Sequence, residues 1–184
     1  MADDKLGRAI AAAADVFLRY GYARTTMGDI AKAAGMSRPA LYLLFPGKEQ
    51  AFEAGTMFLA RRHLDDIRGT LHECEGLQQR LTTACVMLLV RVFDLQQSAP
   101  DARDMDDLTF PVVRAIYAMF ESFFSALIAE EMPAPAVQPD EAARVLLYGA
   151  RGLRDVAGSA EGYARLIETH VALVCSGLVH ARPL

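Results

Sequence analysis

Apolar residues recur at intervals of three or four positions along most of the chain, and no stretch sustains the alternation of apolar and polar residues that predicts a strand. The pattern therefore predicts a protein made only of α-helices. We expect helices at about residues 5–20, 27–34, 38–45, 48–74, 77–97, 110–131, 140–156 and 162–180. The segments 98–107 and 132–139 are rich in proline or aspartate and predict a loop and a linker.

The segment 21–48 carries a start or stop signal at each expected helix boundary. Thr26 suits the cap position of a helix, and Asp29, three residues on, occupies the partner position of a capping box. Gly35 supplies a sharp turn, and Ser37 suits the cap of the helix that follows. Each short helix has an apolar face that can anchor it, formed by Ile30, Ala31, Ala34, Leu41 and Phe45. These signals together predict a helix–turn–helix.

The segment from Arg8 to Phe52 resembles the N-terminal DNA-binding domain of the TetR (tetracycline-repressor) family of transcriptional regulators. Many motif positions agree at fixed spacing, over roughly the first quarter of the chain. The resemblance implies an all-α fold with a three-helix helix–turn–helix DNA-binding domain at residues 1–47. A helical ligand-binding and dimerisation domain would follow at residues 48–184. The remainder carries no motif of its own, so its assignment rests on length and helical pattern.

The second helix of such a motif contacts base edges in the major groove through side chains near its start. Arg38 is the strong donor at that point, and arginine to guanine is the commonest specific contact. Pro39, Ala40 and Leu43 suit contact with thymine methyl groups. Four polar residues suit contact with phosphate, namely Thr26, Ser37, Tyr42 and Lys48. The family resemblance itself implies the phosphate contacts of Tyr42 and Lys48. The alternative for Tyr42 is a half-buried core residue.

The end of this helix departs from the family pattern. Many relatives have a polar or aromatic residue and then His after the tyrosine, whereas this chain has Leu43 and Leu44. Two polar contacts are thereby removed. We expect specificity to rest on Arg38, on methyl contacts and on DNA shape.

The distribution of charge supports a DNA-binding N-terminus. The net charge is −4, which taken alone argues weakly against a nucleic-acid binder. However, residues 1–50 hold seven Lys or Arg and five Asp or Glu, whereas residues 51–184 hold twelve and eighteen. The basic balance therefore coincides with the motif, and the acidic remainder disfavours DNA binding elsewhere.

The last two predicted helices each carry a stripe of apolar and small residues. The first stripe is Val145, Tyr148, Gly149, Gly152 and Val156, and the second is Leu166, Ile167, His170, Val171, Val174, Gly177 and Leu178. In the family, these helices pair with their twins in a homodimer, and the pattern here allows that. The alternative is an ordinary core within one chain. A helix–turn–helix on a single half-site binds poorly, which favours the dimer.

The middle helices predict the walls of a pocket for a small hydrophobic ligand. The expected lining is Met87, Arg91, Tyr117, Phe120, Phe124 and Tyr148. Arg91 interrupts an apolar run, so we expect its guanidinium to bind an anionic group of the ligand. The alternatives are a pair with Asp94 or Glu121, or a surface arginine. The aromatic stripe Phe120–Phe124 is more often typical of plain core than of a pocket.

Other classes of protein find little support in the sequence. Cys74, Cys85 and Cys175 are too few and scattered for a disulfide framework or a zinc site, and the histidines lack metal-ligand spacing. No nucleophile–base pair or Gly-rich phosphate loop is evident, so we expect no enzyme, metal or cofactor. The acidic N-terminus is unlike a signal peptide, and uncharged apolar stretches fall short of the roughly 20 residues that span a membrane. We expect a cytoplasmic protein without a membrane partner.

These observations predict a ligand-responsive repressor that binds a palindromic operator in double-stranded DNA as a homodimer. The mechanism would follow from linkage, because a ligand that favours misaligned DNA-binding domains must weaken DNA binding by the same coupling free energy. The alternative is a DNA-binding protein of the same fold that a protein partner regulates in place of a small molecule.

Overall fold

The computed structural model describes residues 2–99 and 104–180, and every regular element in these two ranges is helical. The helices are α1 (Ala2–Arg24), α2 (Met27–Ala33), α3 (Arg38–Tyr42), α4 (Lys48–Thr70), α5 (Gly76–Ser98), α6 (Pro111–Glu131), α7 (Pro139–Gly152) and α8 (Ala160–His180). Short 3-10 turns follow α4 and α7, and a third lies at residues 104–106. The predicted all-α fold is confirmed, with helix ends displaced by about one turn or less. Part of the predicted loop 98–107 falls outside the described residues.

The chain folds into two compact units. The head unit contains the residues up to His63 together with Leu95–Ile116, and the body unit contains Leu64–Asp94 together with the residues from Tyr117 onward. Helices α4, α5 and α6 each continue from one unit into the other. The domain boundary was predicted after residue 47, whereas the compact head unit extends to His63 and also contains Leu95–Ile116.

The core of the head unit follows from helical periodicity. Ala9, Ala13 and Phe17 are spaced four apart on α1 and are fully buried. Ile30 of α2 and Leu41 of α3 are also fully buried. Because α2 and α3 are too short to be stable alone, this burial holds them in place.

Helix α1 contains a break at Gly21, where φ is 70° and ψ is 174°. This left-handed conformation favours glycine, since a side chain there would be strained. Beyond the break, residues 22–24 form one further turn of helix that has its own amino and carboxyl ends. The first helix, predicted to end at about residue 20, therefore changes direction at Gly21, and the helical turn beyond it supplies backbone groups to the site described below.

The body unit has its core on α6, α7 and α8. Phe120, Phe124 and Ile128 of α6 are buried, and the fully buried Tyr163 of α8 donates a 3.1 Å hydrogen bond to the carbonyl of Ala150 on α7. By length and composition alone, α6 is the one helix among the described residues that is apolar enough to cross a membrane. The buried core helix of a folded domain passes the same test, and the burial of its aromatic residues is typical of such a helix.

Helices α7 and α8 pack against each other through residues that the sequence assigns to a dimer interface. Ile167, Val171 and Leu178 are buried within the chain, so that part of the predicted interface is wrong. The ring of His170 fills the space beside Gly149, where a Cβ atom would lie 2.7 Å from Nε2. The large apolar side chains that remain exposed on these helices and the turn between them are Val145, Tyr148, Val156, Leu173 and Val179. Val145, Tyr148 and Val156 were assigned to the interface from the sequence, but Leu173 and Val179 were left out, because α8 is apolar on two sides.

Candidate nucleic-acid interface

The α2–turn–α3 segment is held by the local hydrogen bonds that its sequence predicts. Thr26 and Asp29 form a complete capping box at the start of α2. The turn passes through Gly35 at φ 64°, in the left-handed region that favours glycine. Ser37 caps α3, where its Oγ accepts a 3.3 Å hydrogen bond from the N–H of Ala40. The start of α3 is thus fixed by its own sequence.

Helix α3 presents a continuous exposed surface. Arg38, Pro39, Tyr42 and Leu43 are exposed, and Ala40 is half-buried. The Leu43 side chain is 87% exposed, although it is a large apolar group. Tyr42 is 50% exposed, so it is no core residue. An exposed leucine beside an arginine and a tyrosine on a capped helix is suited to contact with a partner that offers both methyl groups and phosphates.

The hydroxyl groups of Thr26 and Ser37 differ in what they can still donate. The Thr26 hydroxyl donates to Oδ2 of Asp29 at 2.6 Å and accepts from the Asp29 N–H at 3.2 Å. Its one proton is therefore used inside the capping box, and an anionic phosphate needs a donor. The Ser37 hydroxyl only accepts, from Ala40, so its proton is still available. Of these two hydroxyl groups, that of Ser37 is the better placed to donate to a phosphate.

The capping box also sets the charge at the start of α2. The side-chain hydrogen bond from Thr26, and then the backbone hydrogen bond from the same residue, lower the pKa of Asp29. The nearby positive charges of Arg38 and Lys32 lower this pKa further. Asp29 is thus an exposed carboxylate beside the predicted base-contacting arginine.

Lys48 makes contacts within the head unit that the sequence does not predict. Its Nζ donates to the carbonyl of Tyr22 at 2.6 Å and to that of Ala23 at 3.4 Å. The same ammonium lies 4.3 Å from the centroid of the Tyr22 ring. A cation at the carboxyl end of the helical turn at residues 22–24 is favourably placed to donate to the carbonyl groups of Tyr22 and Ala23. The phosphate contact predicted for Lys48 would therefore have to use the third N–H of its ammonium group.

Asp104 is the residue of this site that the sequence analysis missed. Its Oδ2 accepts hydrogen bonds from the backbone N–H groups of Tyr22 at 2.6 Å and Ala23 at 3.2 Å. Asp104 and Lys48 therefore hold opposite ends of the same helical turn. The other carboxylate oxygen, Oδ1, is buried and accepts no hydrogen bond from the described residues. No local pattern signals this contact, because its partners lie about eighty residues apart.

Aromatic rings continue the connection between this turn and the α5–α6 segment. Tyr22 packs edge-on against Phe52 at 4.9 Å and against Phe110 at 5.1 Å between ring centroids. Phe17 of α1 packs edge-on against Phe52 at 5.0 Å. These pairs have the tilted geometry that aromatic rings prefer. Phe110, which follows Asp104 in the chain, thus packs into the aromatic cluster of the head unit.

The predicted ligand-binding residues all lie in the body unit, in varied environments. Tyr117, Phe120 and Phe124 are buried, and Met87 is half-buried. Tyr148 is partly exposed and stacks on Tyr117 at 5.6 Å between ring centroids. The hydroxyl of Tyr117 accepts a 2.9 Å hydrogen bond from Nε of Arg151. The guanidinium beside the aromatic residues therefore belongs to α7.

The role predicted for Arg91 is wrong. Its side chain is 62% exposed, and its Nη1 lies 4.0 Å from Oδ2 of Asp66. An arginine on the surface of α5 does not place a guanidinium in an apolar interior. Arg91 interrupts the apolar run because it lies on the exposed face of α5, as the surface-arginine alternative predicts. The neighbouring acid is Asp66.

The described residues contain no cluster of His, Cys, Asp or Glu that could hold a metal ion. Burial, and then the neighbouring Cys175, raise the pKa of the Cys85 thiol, which leaves it protonated and inert. Cys74 is half-buried, and its sulfur lies 3.4 Å from Oγ1 of Thr83.

Part of the chain matches a known protein family and a characterised relative. Residues 9–54 match the model of a family described as bacterial regulatory proteins, tetR family. The chain is also similar to the HTH-type transcriptional activator FasR of Mycolicibacterium smegmatis, at 34% identity over 86 residues. That match covers 45% of this chain and 37% of FasR, so it spans a little over a third of the relative's length.

Solved structures resemble nearly the whole chain. A transcriptional regulator from Cytophaga hutchinsonii matches with a TM-score of 0.73 and 20% identity, covering 96% of this chain and 99% of the other. A transcriptional regulator from Rhodococcus sp. RHA1 matches with a TM-score of 0.70, 20% identity and the same coverage. The fatty acid degradation regulator FadR of Bacillus halodurans matches with a TM-score of 0.67 and 18% identity, covering 96% and 97%. At these identities the likeness shows the fold.

Proposed function

We propose that this chain, whose residues 9–54 match the model of the tetR family of bacterial regulatory proteins, is a ligand-responsive repressor that binds a palindromic operator as a homodimer. The observation that carries the proposal is the exposed surface of α3, on which Arg38, Tyr42 and the strongly exposed Leu43 stand on a capped helix. This arrangement suits insertion into the major groove of DNA.

Each exposed residue of α3 has a role that its chemistry supports. Arg38 can donate two hydrogen bonds to a guanine, and Leu43, with Pro39 and Ala40, offers apolar surface to thymine methyl groups. The available proton of Ser37 and the phenol of Tyr42 can donate to phosphate oxygens. These phosphate contacts fix the orientation of the helix, while Arg38 and Leu43 supply the preference for sequence.

The homodimer is supported by the exposed apolar residues of α7, α8 and the turn between them. Leu173 is 68% exposed, and Val179 and Val156 are similarly open to solvent. Exposed apolar side chains of this size mark a surface that another protein covers. Two copies joined here by a two-fold axis would present two α3 helices to two half-sites, about 34–36 Å apart for one turn of DNA.

We propose that the body unit binds a small hydrophobic ligand. The apolar residues proposed to contact it are Met87, Tyr117, Phe120, Phe124 and Tyr148. Arg91 is left out of this set because it is exposed. A ligand bound in the body reaches the head by linkage, through helices that continue from one unit into the other. All of this would take place in the cytoplasm, where the operator DNA lies.

The ligand proposal is tested by a thermal-shift screen of small hydrophobic compounds, followed by operator binding with each hit. A true ligand raises the melting temperature and releases the protein from DNA. Tyr117→Phe, which removes the acceptor of Arg151, should alter this response, while Arg91→Ala should respond as the unaltered protein does. Stabilising compounds that never change operator affinity would contradict ligand response.

The sign of regulation is a separate part of the proposal, since the relative FasR is an activator. A reporter gene behind the operator decides it. Repression predicts that removing the gene for this protein raises reporter expression. A fall in expression on removal would show activation and overturn the repressor assignment, although the DNA-binding proposal would stand.

A further inference from the structure

The side chain of Arg38 lies against the backbone of α2 at Gly28. A Cβ atom added to Gly28 would overlap Nη2 of Arg38 and lie 2.9 Å from its Nε and 3.0 Å from its Cζ. The guanidinium therefore occupies the volume that any side chain at position 28 would fill. Gly28 is the second residue of α2, and its backbone conformation is one that any residue can adopt. Glycine is therefore not needed there for the backbone, but its lack of a side chain makes room for the guanidinium of Arg38.

The acidic neighbour of Gly28 supports the same placement. Asp29 bears an exposed carboxylate whose charge is felt by Arg38, and whose oxygens are fixed by the capping box with Thr26. A guanidinium that rests on a flat backbone beside a fixed negative charge has fewer accessible rotamers than one in open solvent. Ordering an arginine in advance lowers the entropy lost when it binds.

We propose that Gly28 is a specificity-determining residue of the DNA-binding surface, which acts by seating the guanidinium of Arg38 for contact with one base. The proposal rests on the base-contacting role of Arg38 in the proposed function. Any residue with a Cβ atom at position 28 displaces the guanidinium from its seat. The preference for guanine at the base that Arg38 contacts then falls, while the phosphate contacts of Ser37 and Tyr42 are unchanged.

The test is binding-site selection from random DNA with four variants: Gly28→Ala, Arg38→Ala, the double variant, and Gly7→Ala as a control. Gly7 also lies in a helix of the head unit, and a Cβ added there would meet no atom within 4 Å. Alanine favours the helix at both positions, and thermal melting of each variant establishes that it is folded. Gly28→Ser repeats the test with the same Cβ atom on a different side chain.

The expected result is a weakened preference at the base position where Arg38→Ala abolishes it, in both Gly28 variants. The loss of discrimination should be roughly tenfold, within the range of one bidentate contact. Gly7→Ala should reproduce the original preference. In the Arg38→Ala background, Gly28→Ala should change nothing further, because the group it displaces is gone. The salt dependence of binding should be the same in all four variants.

Two results would overturn the inference while leaving the proposed function intact. One is an unchanged preference in Gly28→Ala when Arg38→Ala does lose it. The other is a change caused by Gly28→Ala that persists without Arg38, since the new methyl group would then act on DNA itself. An unchanged preference in Arg38→Ala would remove the base-contacting role, and with it both proposals for this residue.

Discussion

The carboxylate of Asp104 accepts a 2.6 Å hydrogen bond from the backbone N–H of Tyr22, a residue 82 positions earlier in the chain. Tyr22 lies directly after the break in α1 at Gly21. The contact therefore ties the end of α1 to the segment between α5 and α6.

Replacing Asp104 with alanine should destabilise the head unit. Two backbone N–H groups, those of Tyr22 and Ala23, lose a charged acceptor, which typically costs about 1–3 kcal/mol in the free energy of unfolding. Urea denaturation of the full chain measures this. Asp65→Ala is the control, because its exposed pair with Arg68 contributes little. Equal stability of the two variants would show that the Asp104 contact does not support the fold.

Lys48→Ala separates a structural role from a phosphate contact. The loss of two hydrogen bonds to the carbonyls of Tyr22 and Ala23 should lower stability by roughly 1–2 kcal/mol. If the third N–H also contacts phosphate, the variant should bind all DNA sequences more weakly, and the slope of log K against log salt should fall by about one unit. Reduced stability with an unchanged slope would assign Lys48 to the structure of the head alone.

Leu43 should contact a thymine methyl group, because its apolar side chain is 87% exposed on the surface proposed to face DNA. Replacing the contacted thymine with uracil removes that methyl and should weaken binding by about 0.8 kcal/mol, the value of one buried methylene. Leu43→Ala should bind the thymine and uracil operators nearly alike. If each thymine of the operator can be replaced without effect on the unaltered protein, the methyl contact does not exist.

Leu173→Glu should separate the subunits. It places a charge on an exposed apolar residue of α8, where a partner copy in the proposed homodimer would have to bury it. Sedimentation should show monomers, and operator affinity should fall with them. Ala126→Glu, at an exposed position of α6 in the same unit, is the matched control and should leave the dimer intact. A dimer that survives Leu173→Glu would place the interface elsewhere.

The parts of the site that were predictable from the sequence depend on neighbours within a few residues. Thr26 and Asp29 are three residues apart, and Ser37 and Ala40 have the same spacing, so the capping interactions follow from local geometry. Gly35 could be placed in the turn for the same reason. Phosphate contact by Thr26 could not be judged in this way, because it depends on where a single hydroxyl proton points.

The parts that were missed depend on the packing of distant segments. Asp104 and Lys48 meet at Tyr22 only because the chain returns to it twice. Helical periodicity locates apolar faces, but it does not say which of two apolar faces on α8 lies inward. Ile167 was therefore assigned to the interface although it is buried, and Leu173 was left out although it is exposed. The role predicted for Arg91 was wrong for a related reason, since one charged residue in an apolar run is as typical of the exposed face of a helix as of a buried site.

Binding-site selection with the purified full chain tests the central claim most directly. A homodimer that binds through two copies of α3 should enrich a two-fold symmetric sequence with half-sites about one turn of DNA apart, and Arg38→Ala should lose one conserved base pair in each half. Enrichment of no sequence, or of an asymmetric sequence that Arg38→Ala and Leu43→Ala both bind unchanged, would contradict the account.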